Sequence, residues 1–543
     1  MRTSKLLRAT LVVVCCAVGA TSPRSAPAQT ASSDYSELLE IFGMFRALER
    51  PPVANSVPDF GGDAIRRQYQ ALGRLRRQFD ALSVDAWPVE QKVDYLLVRG
   101  EMNGLDFYHR VLRPWSRDPG FYLQTMGGSG PSRRGLRIRD LPMPPAELPT
   151  ALQELKAVPP LLSAARDNLR NVPADLVTLA LHYLHEEVAF FERIRDTAGD
   201  HHPELVEPAE AARAAVVAYG EWLESNRGRM NGPAGIGRAN YNWWLRNVQL
   251  VPYTWDDFRE IVTREDERVL TYLELERNRN RHLPELEPVQ TAEEHARRKR
   301  AALEFAMRFL SESEIATIPD YLDASGYLSR GPLQPPAVWP RPETDFFDQT
   351  GDREPLPEQV HEFIGHYFDN QQQRRDERPI RGAERLFAID MIRLEGWAFG
   401  LEELLMHSGY LDERSPRGRE IVYMQTAFRS CRAIADQNMH ANEFTLQEAI
   451  DYCYECAPNG WLLPDGYHVW YEMATNLRFP GWHSGMVIGK AQFIKLFGDR
   501  VRQLGPDFVL RDFVDEFLAA GGIPFSLIRW EMTGLDDEIQ KLW

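Results

Sequence analysis

Cysteine is scarce in this sequence of 543 residues, which contains only five. Cys15 and Cys16 lie inside the first apolar run, so Cys431, Cys453 and Cys456 are left for the folded protein. Three cysteines exclude a disulfide framework as the basis of the fold, and an odd number predicts at least one free thiol. Cys453 and Cys456 match C-x-x-C, but one such pair is weak evidence for zinc or redox chemistry. We therefore interpret both as packing residues.

An excess of positive charge and a second long hydrophobic run are also missing. The formal net charge is −16, which argues against nucleic acids and anionic membrane surfaces as partners. Residues 1–28 combine a basic start, an apolar stretch and Ala26-Pro27-Ala28, a pattern typical of an export signal. The apolar stretch is too short to span a bilayer, and an uncleaved anchor is the alternative. We expect a signal peptide at 1–28 and a soluble mature protein, periplasmic or extracellular.

Strict alternation of apolar and polar residues, which marks half-buried strands, is rare, and no internal repeat is found. Helical periodicity recurs through the chain instead. It predicts a mainly α fold with few short strands, made of a helical region at 29–235 and a second at 236–543 in one continuous body. Two loop-rich stretches interrupt the pattern, at 112–146 and 315–356. The second is rich in proline and aromatic residues and is interpreted as short strands or a flap beside a site.

One short motif contains residue types that bind metal: His361-Glu362-Phe363-Ile364-Gly365-His366. A His-Glu pair followed by a second histidine is how zinc peptidases place two imidazoles and a general base around one ion. The usual spacing of four residues separates the histidines by about 40° around an α-helix, whereas five residues separate them by about 140°. Either the helix has a π-type bulge at Gly365, where glycine tolerates the adjustment, or the histidines do not share a metal.

A third ligand is needed, because a catalytic zinc usually has three protein ligands and one open position. The best candidate is Glu395, on the next predicted helix. Glu402 and Glu403 lie two turns further on, and we interpret them as supporting or solvated residues. Glu362 is rotated by about 100° from the neighbouring ligand His361, which suits a general base better than a ligand. The motif therefore predicts one zinc ion per chain.

Six sequence blocks in a fixed order are more specific than the metal motif alone. They are 242–245 with 251–254, 361–366, 395–398, 432–440, 480–481 with 488–490, and 522–532. Through them, residues 235–534 resemble the bacterial metallopeptidase-like family catalogued as domain of unknown function 885. The resemblance implies a largely helical zinc-peptidase body with a deep central channel. Taken by itself, the aromatic block at 242–254 is interpreted as packing core, with a substrate-contacting surface as the alternative.

The resemblance also implies roles for individual residues. His361, His366 and Glu395 would bind zinc, and Glu362 would act as the base. The five-residue spacing of the histidines is similar to that of dipeptidyl peptidase III, in which it does hold zinc.

A further histidine, His440, looks like a family residue near the site. It is interpreted as a catalytic residue that stabilises the oxyanion or binds substrate, with Asp436 orienting it. A hydrogen-bonded pair in the core is the alternative. The candidate substrate-binding residues are Tyr467, Arg478, His483, Lys490 and Arg529.

Three departures from the family pattern bear on activity. The motif is one residue shorter than H-E-x-x-P-G-H and lacks its proline. Two tyrosines found in many members are replaced, by Gly400 and Met486. Methionine donates no hydrogen bond, and loss of one oxyanion donor typically costs about a hundredfold or more in rate. Tyr467, His468 and His483 are the candidates to replace that donor.

The leading hypothesis is an exported zinc metallohydrolase that cleaves peptide or amide bonds in short peptides, of exopeptidase or dipeptidase type. One alternative is a non-catalytic peptide-binding protein on a peptidase scaffold, and another is an amide hydrolase for a specialised metabolite. Arg478, Lys490 or Arg529 in the channel would favour carboxypeptidase or dipeptidase action, and exposed or structural salt bridges are the alternative for these residues. Carboxylates in the channel would favour an aminopeptidase.

Overall fold

The computed structural model describes residues 32–54, 57–123, 141–322, 327, 338–341 and 343–543. The predicted signal peptide at 1–28 lies outside these residues. Within them, strand is confined to one antiparallel pair, Val53–Ala54 with Val57–Pro58, and nearly all other regular structure is helical. The prediction of a mainly α fold is confirmed. None of the described helices is both long and apolar enough to cross a membrane.

The structure describes ten α-helices in the first part of the chain. They are α1 Tyr35–Glu49, α2 Gly62–Asp80, α3 Val89–Phe107, α4 Pro114–Arg117, α5 Leu148–Asn168, α6 Ala174–Ala198, α7 Val206–Asn226, α8 Arg238–Asn247, α9 Trp255–Asn280 and α10 Ala292–Glu312. Helix α9 begins where the sequence supplies a capping box, in which Thr254 and Asp257 each accept a hydrogen bond from the other's backbone N–H. On α8, Trp244 is buried and Trp243 stacks on Phe107. These contacts favour the packing interpretation of the aromatic block.

The second part of the chain contains the metal motif and the helices around it. Its α-helices are α11 Phe346–Gly351, α12 Leu356–Gln359, α13 Asp369–Gln373, α14 Met391–His407, α15 Gly418–His440, α16 Leu446–Cys456, α17 Tyr467–Arg478, α18 Trp482–Leu504, α19 Leu510–Ala520, α20 Phe525–Thr533 and α21 Ile539–Leu542. Helix α15 is buried along almost its whole length, because α9, α16, α17 and α18 all pack against it. Polar side chains on α15 therefore face either other protein groups or an internal cavity.

The three cysteines of the folded chain do not all act as packing residues. Cys431 on α15 and Cys456 at the end of α16 form a disulfide, with their Cα atoms 6.2 Å apart. The packing interpretation of Cys456 is therefore wrong, because its partner is a residue distant in sequence, outside the C-x-x-C pair. Cys453 is the buried free thiol that the odd count predicted, and burial raises its pKa.

Helices α14 and α18 cross with their backbones in contact. A Cβ atom placed at Gly396 would collide with the backbone of Gly489, and one at Gly489 would collide with the carbonyl of Ile392. Glycine is needed at both positions for this close approach. The crossing lies next to Glu395 in sequence, so it fixes the position of a candidate ligand.

The Gly489→Ala substitution is expected to destabilise the protein by about 1–3 kcal/mol or more, because the added methyl group meets backbone atoms that cannot rotate away. Urea unfolding of the two proteins measures this difference. The matched control is Gly43→Ala, since Gly43 lies on α1 with no atom near the added Cβ. That change is expected to stabilise the protein by up to about 1 kcal/mol through helix propensity. Equal stability of Gly489→Ala and wild type would contradict the tight crossing.

Candidate metal centre

The metal motif forms a π-helix that runs from Val360 to Phe368. Hydrogen bonds in a π-helix join residues five apart, so side chains five apart lie on one face. Accordingly, His361 Nε2 and His366 Nε2 are only 3.1 Å apart. The predicted bulge thus extends over the whole motif instead of lying at Gly365 alone. Gly365 has a different role, since a Cβ atom there would collide with Ala398 of α14.

Glu395 completes a triangle of three potential ligand atoms. Its Oε2 lies 3.6 Å from His361 Nε2 and 3.6 Å from His366 Nε2. The point equidistant from the three atoms is about 2.0 Å from each, close to the Zn–N and Zn–O distances of zinc sites. A zinc ion held by these three residues would keep a fourth position for a water molecule or a substrate. The three residues therefore fit a tetrahedral zinc.

Glu402 holds the first ligand in place from behind. Its Oε1 lies 2.8 Å from His361 Nδ1, so it accepts the proton of that nitrogen and turns Nε2 towards the triangle. Arg429 in turn pairs with Glu402 at 2.7 Å. The supporting role predicted for Glu402 agrees with this geometry. Glu403 instead forms ion pairs with Lys490 and Arg268 and is neither solvated nor close to the triangle.

The protonation of the three candidate ligands depends on their mutual contacts. Burial and Arg429 disfavour charge on His361, but hydrogen bonds to Glu395 and Glu402 outweigh them and raise its pKa to about 9. Burial lowers the pKa of His366. Against the effect of burial, the two histidines hold the pKa of Glu395 at about 2. A metal must displace the proton on His361, so metal affinity should fall as pH falls.

The triangle opens into a cavity of about 480 Å³. This volume is within the usual range for small-ligand sites and suits a short peptide better than a folded protein. The resemblance implies a central channel, and the corresponding feature among the described residues is this cavity. Glu362 also lines it, and its side chain is exposed while its neighbours in the π-helix are largely buried. The base candidate and the ligand candidates therefore face one space.

Residues 359–532 match the family model described as bacterial protein of unknown function (DUF885). The match confirms the resemblance to this family within 359–532, which we call the DUF885 region, and does not reach the block at 242–254. The DUF885 region contains all three candidate ligands and Glu362. No curated protein matches the chain significantly.

Two solved structures share the fold. One, from Shewanella oneidensis, is provisionally described as a lipoprotein of unknown function; it is 14% identical, with a TM-score of 0.69, and the match covers 92% of this chain and 100% of that one. The other, from Colwellia psychrerythraea, is provisionally described as a lipoprotein; it is 14% identical, with a TM-score of 0.68, and the match covers 91% and 97%. Likeness at this identity shows the fold alone, which extends beyond the DUF885 region to most of the chain.

His440 does not reach the cavity. It is fully buried, and its Nε2 donates to the carbonyl of Asn476 at 2.8 Å. Asp436 lies 3.6 Å away and is held by Ser484, Tyr241 and the backbone N–H of Gly481. These contacts correspond to the alternative of a core pair and remove the ground for a catalytic role of His440. His440 does not reach the cavity because it lies at the end of α15, away from the triangle.

Buried His440 predicts a pH dependence of stability. Burial lowers its pKa from 6.5 to about 4. Between pH 6.5 and pH 4 the unfolded chain takes up a proton that the folded protein does not, so stability is lost as pH falls, by up to about 3 kcal/mol. We expect wild type to lose about 2 kcal/mol more than His440→Gln between pH 7 and pH 5, measured by urea unfolding. The same loss in both proteins would contradict this assignment.

Of the five candidate substrate-binding residues, the structure brings only His483 to the cavity. Tyr467 is half-exposed and lies outside the described lining. The three cations are absent from that lining too, because each is paired with carboxylates elsewhere. The pairs are Arg478 with Asp118, Lys490 with Glu265 and Glu403, and Arg529 with Asp499 and Asp537. Their predicted role in substrate binding is therefore not supported.

Several cavity residues were missed by the sequence analysis. Gln425, Arg429 and Arg432 all line the cavity from α15, and Glu472 pairs with Arg432 at 2.6 Å. The first three follow one another at spacings of four and three, so they form a single polar stripe on a helix that is otherwise buried. That spacing was the available signal.

The two replaced tyrosines have different surroundings. A Cβ atom at Gly400 would lie 2.8 Å from Phe493, so this position has no room for a tyrosine. Met486 lines the cavity, with Arg432 Nη2 3.7 Å from its sulfur. His483 lies 3.3 Å from Arg432. A nitrogen donor of Arg432 therefore lies beside Met486, the position that a tyrosine occupies in many members of the family. Of the other two suggested replacements, His468 lines the cavity and Tyr467 does not.

Proposed function

We propose that this protein is an exported zinc-dependent hydrolase that cleaves peptide or amide bonds in short peptides. The observation that carries the proposal is the triangle of His361, His366 and Glu395, with atoms 3.1 to 3.6 Å apart, beside the exposed carboxylate of Glu362. Two imidazoles, a carboxylate and a separate base are what zinc peptidases use. The cavity volume supports short substrates.

In the proposed reaction, zinc held by these residues would polarise the substrate carbonyl and lower the pKa of a bound water. Glu362 accepts the proton of the attacking water and passes it to the amine that leaves. Glu402 keeps His361 oriented throughout. Arg432, whose Nη2 lies 3.7 Å from the sulfur of Met486, offers N–H groups for the negative charge that develops on the carbonyl oxygen.

Export is part of the proposal. The pattern of residues 1–28 is typical of a signal peptide. Two proteins that share the fold are provisionally described as lipoproteins. The disulfide between Cys431 and Cys456 is of a kind that persists in oxidising compartments. These three observations favour a periplasmic or extracellular location.

The experiment combines metal analysis with a peptide screen. The mature protein is depleted of metal by a chelator, reloaded with zinc, and incubated with unmodified peptides of two to five residues. We expect about one zinc per chain and hydrolysis only in the reloaded sample, followed by chromatography of the products. Absence of zinc binding, or hydrolysis that survives the chelator, would overturn the proposal. The same protein reloaded with magnesium serves as a control, since its preferred oxygen ligands are not those of the triangle.

A further inference from the structure

One side of the cavity is acidic and is organised around helix α11. Asp345 and Asp348 lie at its start, and Glu358 of α12 and Gln425 of α15 contact its other end through Gly351 and Thr350. All four side chains line the cavity. We call Asp345, Asp348, Glu358 and Gln425 the α11 wall.

The amide of Gln425 has one orientation. The hydroxyl of Thr350 donates to the carbonyl of Phe347 at 2.9 Å, so its oxygen is left to accept a hydrogen bond from Gln425 Nε2, also at 2.9 Å. Gln425 Oε1 is then the free acceptor. The side chain is 1% exposed, and Oε1 has no hydrogen-bond partner among the described residues. A buried acceptor without a partner is costly, so a ligand with an N–H group would stabilise it.

The carboxylates of the α11 wall also retain capacity for a donor. Glu358 Oε1 pairs with Lys299 at 2.6 Å, but Oε2 has no partner in the described part of the chain. Burial and the nearby charge of Asp345 raise the pKa of Asp348, even though Arg341 lies 2.8 Å away. The wall therefore has acceptor atoms without a hydrogen-bond donor, and negative charge that a bound cation would neutralise.

The cations that line the cavity are already neutralised. Lys299 pairs with Glu358, Arg429 with Glu402 and Arg432 with Glu472, all within 2.7 Å. Among the lining residues of the described chain, six carboxylates face three Lys or Arg side chains. Zinc would reduce this excess but not cancel it. A substrate carboxylate would meet cations that each already have a carboxylate partner, whereas an ammonium group would meet carboxylates in excess.

We propose that the α11 wall binds the free α-amino group of the peptide substrate, so that the protein selects peptides with an unblocked N-terminus. The inference rests on the proposed function and specifies its substrate class. Gln425 Oε1 and Glu358 Oε2 accept hydrogen bonds from the ammonium group, and Asp345 and Asp348 supply compensating charge. Selection at this end corresponds to aminopeptidase or dipeptidase action.

The test measures binding separately from hydrolysis. Zinc-loaded Glu362→Gln protein is titrated by calorimetry with leucyl-leucine, its N-acetyl derivative and its C-terminal amide. We expect the N-acetyl compound to bind at least tenfold more weakly than the free dipeptide, and the C-terminal amide to bind within a factor of about three of it. Adding Gln425→Leu should weaken the free dipeptide about tenfold and leave the N-acetyl compound unchanged. Gln447→Leu, an exposed glutamine on α16, is the matched control and should change nothing.

The outcomes separate the two proposals. Equal binding of the free and acetylated dipeptides, weaker binding of the amide alone, or binding of none of them would overturn the amino-group inference. Hydrolysis of blocked and unblocked peptides at equal rates by wild type would also overturn it, while leaving the proposed hydrolase intact. Preference for the free amine without any hydrolysis would support the inference and contradict the proposed function. If Gln425→Leu does not fold, the comparison of the three ligands on the Glu362→Gln protein still decides.

Discussion

Replacement of Glu362 by glutamine is expected to reduce peptide hydrolysis by a factor of about 10²–10⁴ and to leave the zinc content unchanged. Glutamine has the same shape as glutamate but accepts no proton from the attacking water. Glu362 supplies none of the three atoms of the triangle, and its side chain is exposed and lines the cavity. Its loss should therefore remove proton transfer without disturbing the ligands.

Initial rates on a cleaved peptide, together with metal analysis of the same samples, test this prediction. The control is Glu274→Gln, which changes an exposed glutamate on α9 and is expected to have wild-type rates. Full activity in Glu362→Gln would require a different base. Loss of zinc together with activity would mean that Glu362 is a ligand after all.

Replacement of His361 by alanine is expected to abolish zinc binding, from about one ion per chain to nearly none. His361 contributes one corner of the triangle and also connects it to Glu402 and Arg429. Without it, two ligands remain, and a zinc site usually needs three from the protein. Glu402→Gln removes only the charge behind His361, so we expect it to keep zinc with an affinity about 10–100-fold lower.

Metal content and competition with a chelator measure both effects. A second readout is thermal unfolding, since a ligand that binds only the folded protein raises the midpoint temperature. Added zinc should raise it for wild type, less at the same zinc concentration for Glu402→Gln, and not for His361→Ala. His407→Ala serves as the control because His407 is an exposed histidine on α14. If His361→Ala retained the full zinc content, the metal would have to bind in another part of the protein.

Local sequence information was sufficient for the helical fold class and for the three candidate ligands that the structure brings together. Helical periodicity gave the fold class because amphipathic helices record their buried face in the order of residues. His361 and His366 share one short segment, and Glu395 lies on the next long helix, so a motif was enough to suggest the triangle. The motif did not determine whether the two imidazoles could approach each other. Residues five apart lie on one face of a π-helix but on different faces of an α-helix.

Contacts between residues far apart in sequence were beyond this kind of argument. Lys490 looked available for substrate until the fold placed it against Glu265 of α9. His440 looked catalytic because it ends a block that resembles the family, but helix α15 is long enough to carry its end away from the cavity. The α11 wall joins three helices, and only the folded chain brings Gln425 opposite Glu358. The role of such a charged or polar group depends on the residue with which it pairs, and helical periodicity does not identify that residue.

The π-helix at Val360–Phe368 also affects how chain length can vary in this protein. A deletion of one residue between the histidines would give the four-residue spacing, and an ordinary α-helix would then return both imidazoles to one face. The same placement of the two imidazoles is thus reachable from two sequence lengths, each with its own hydrogen-bond register. A search that insists on the four-residue spacing would pass over chains such as this one. Alignments of distant peptidase-like sequences should therefore allow a gap between the two histidines.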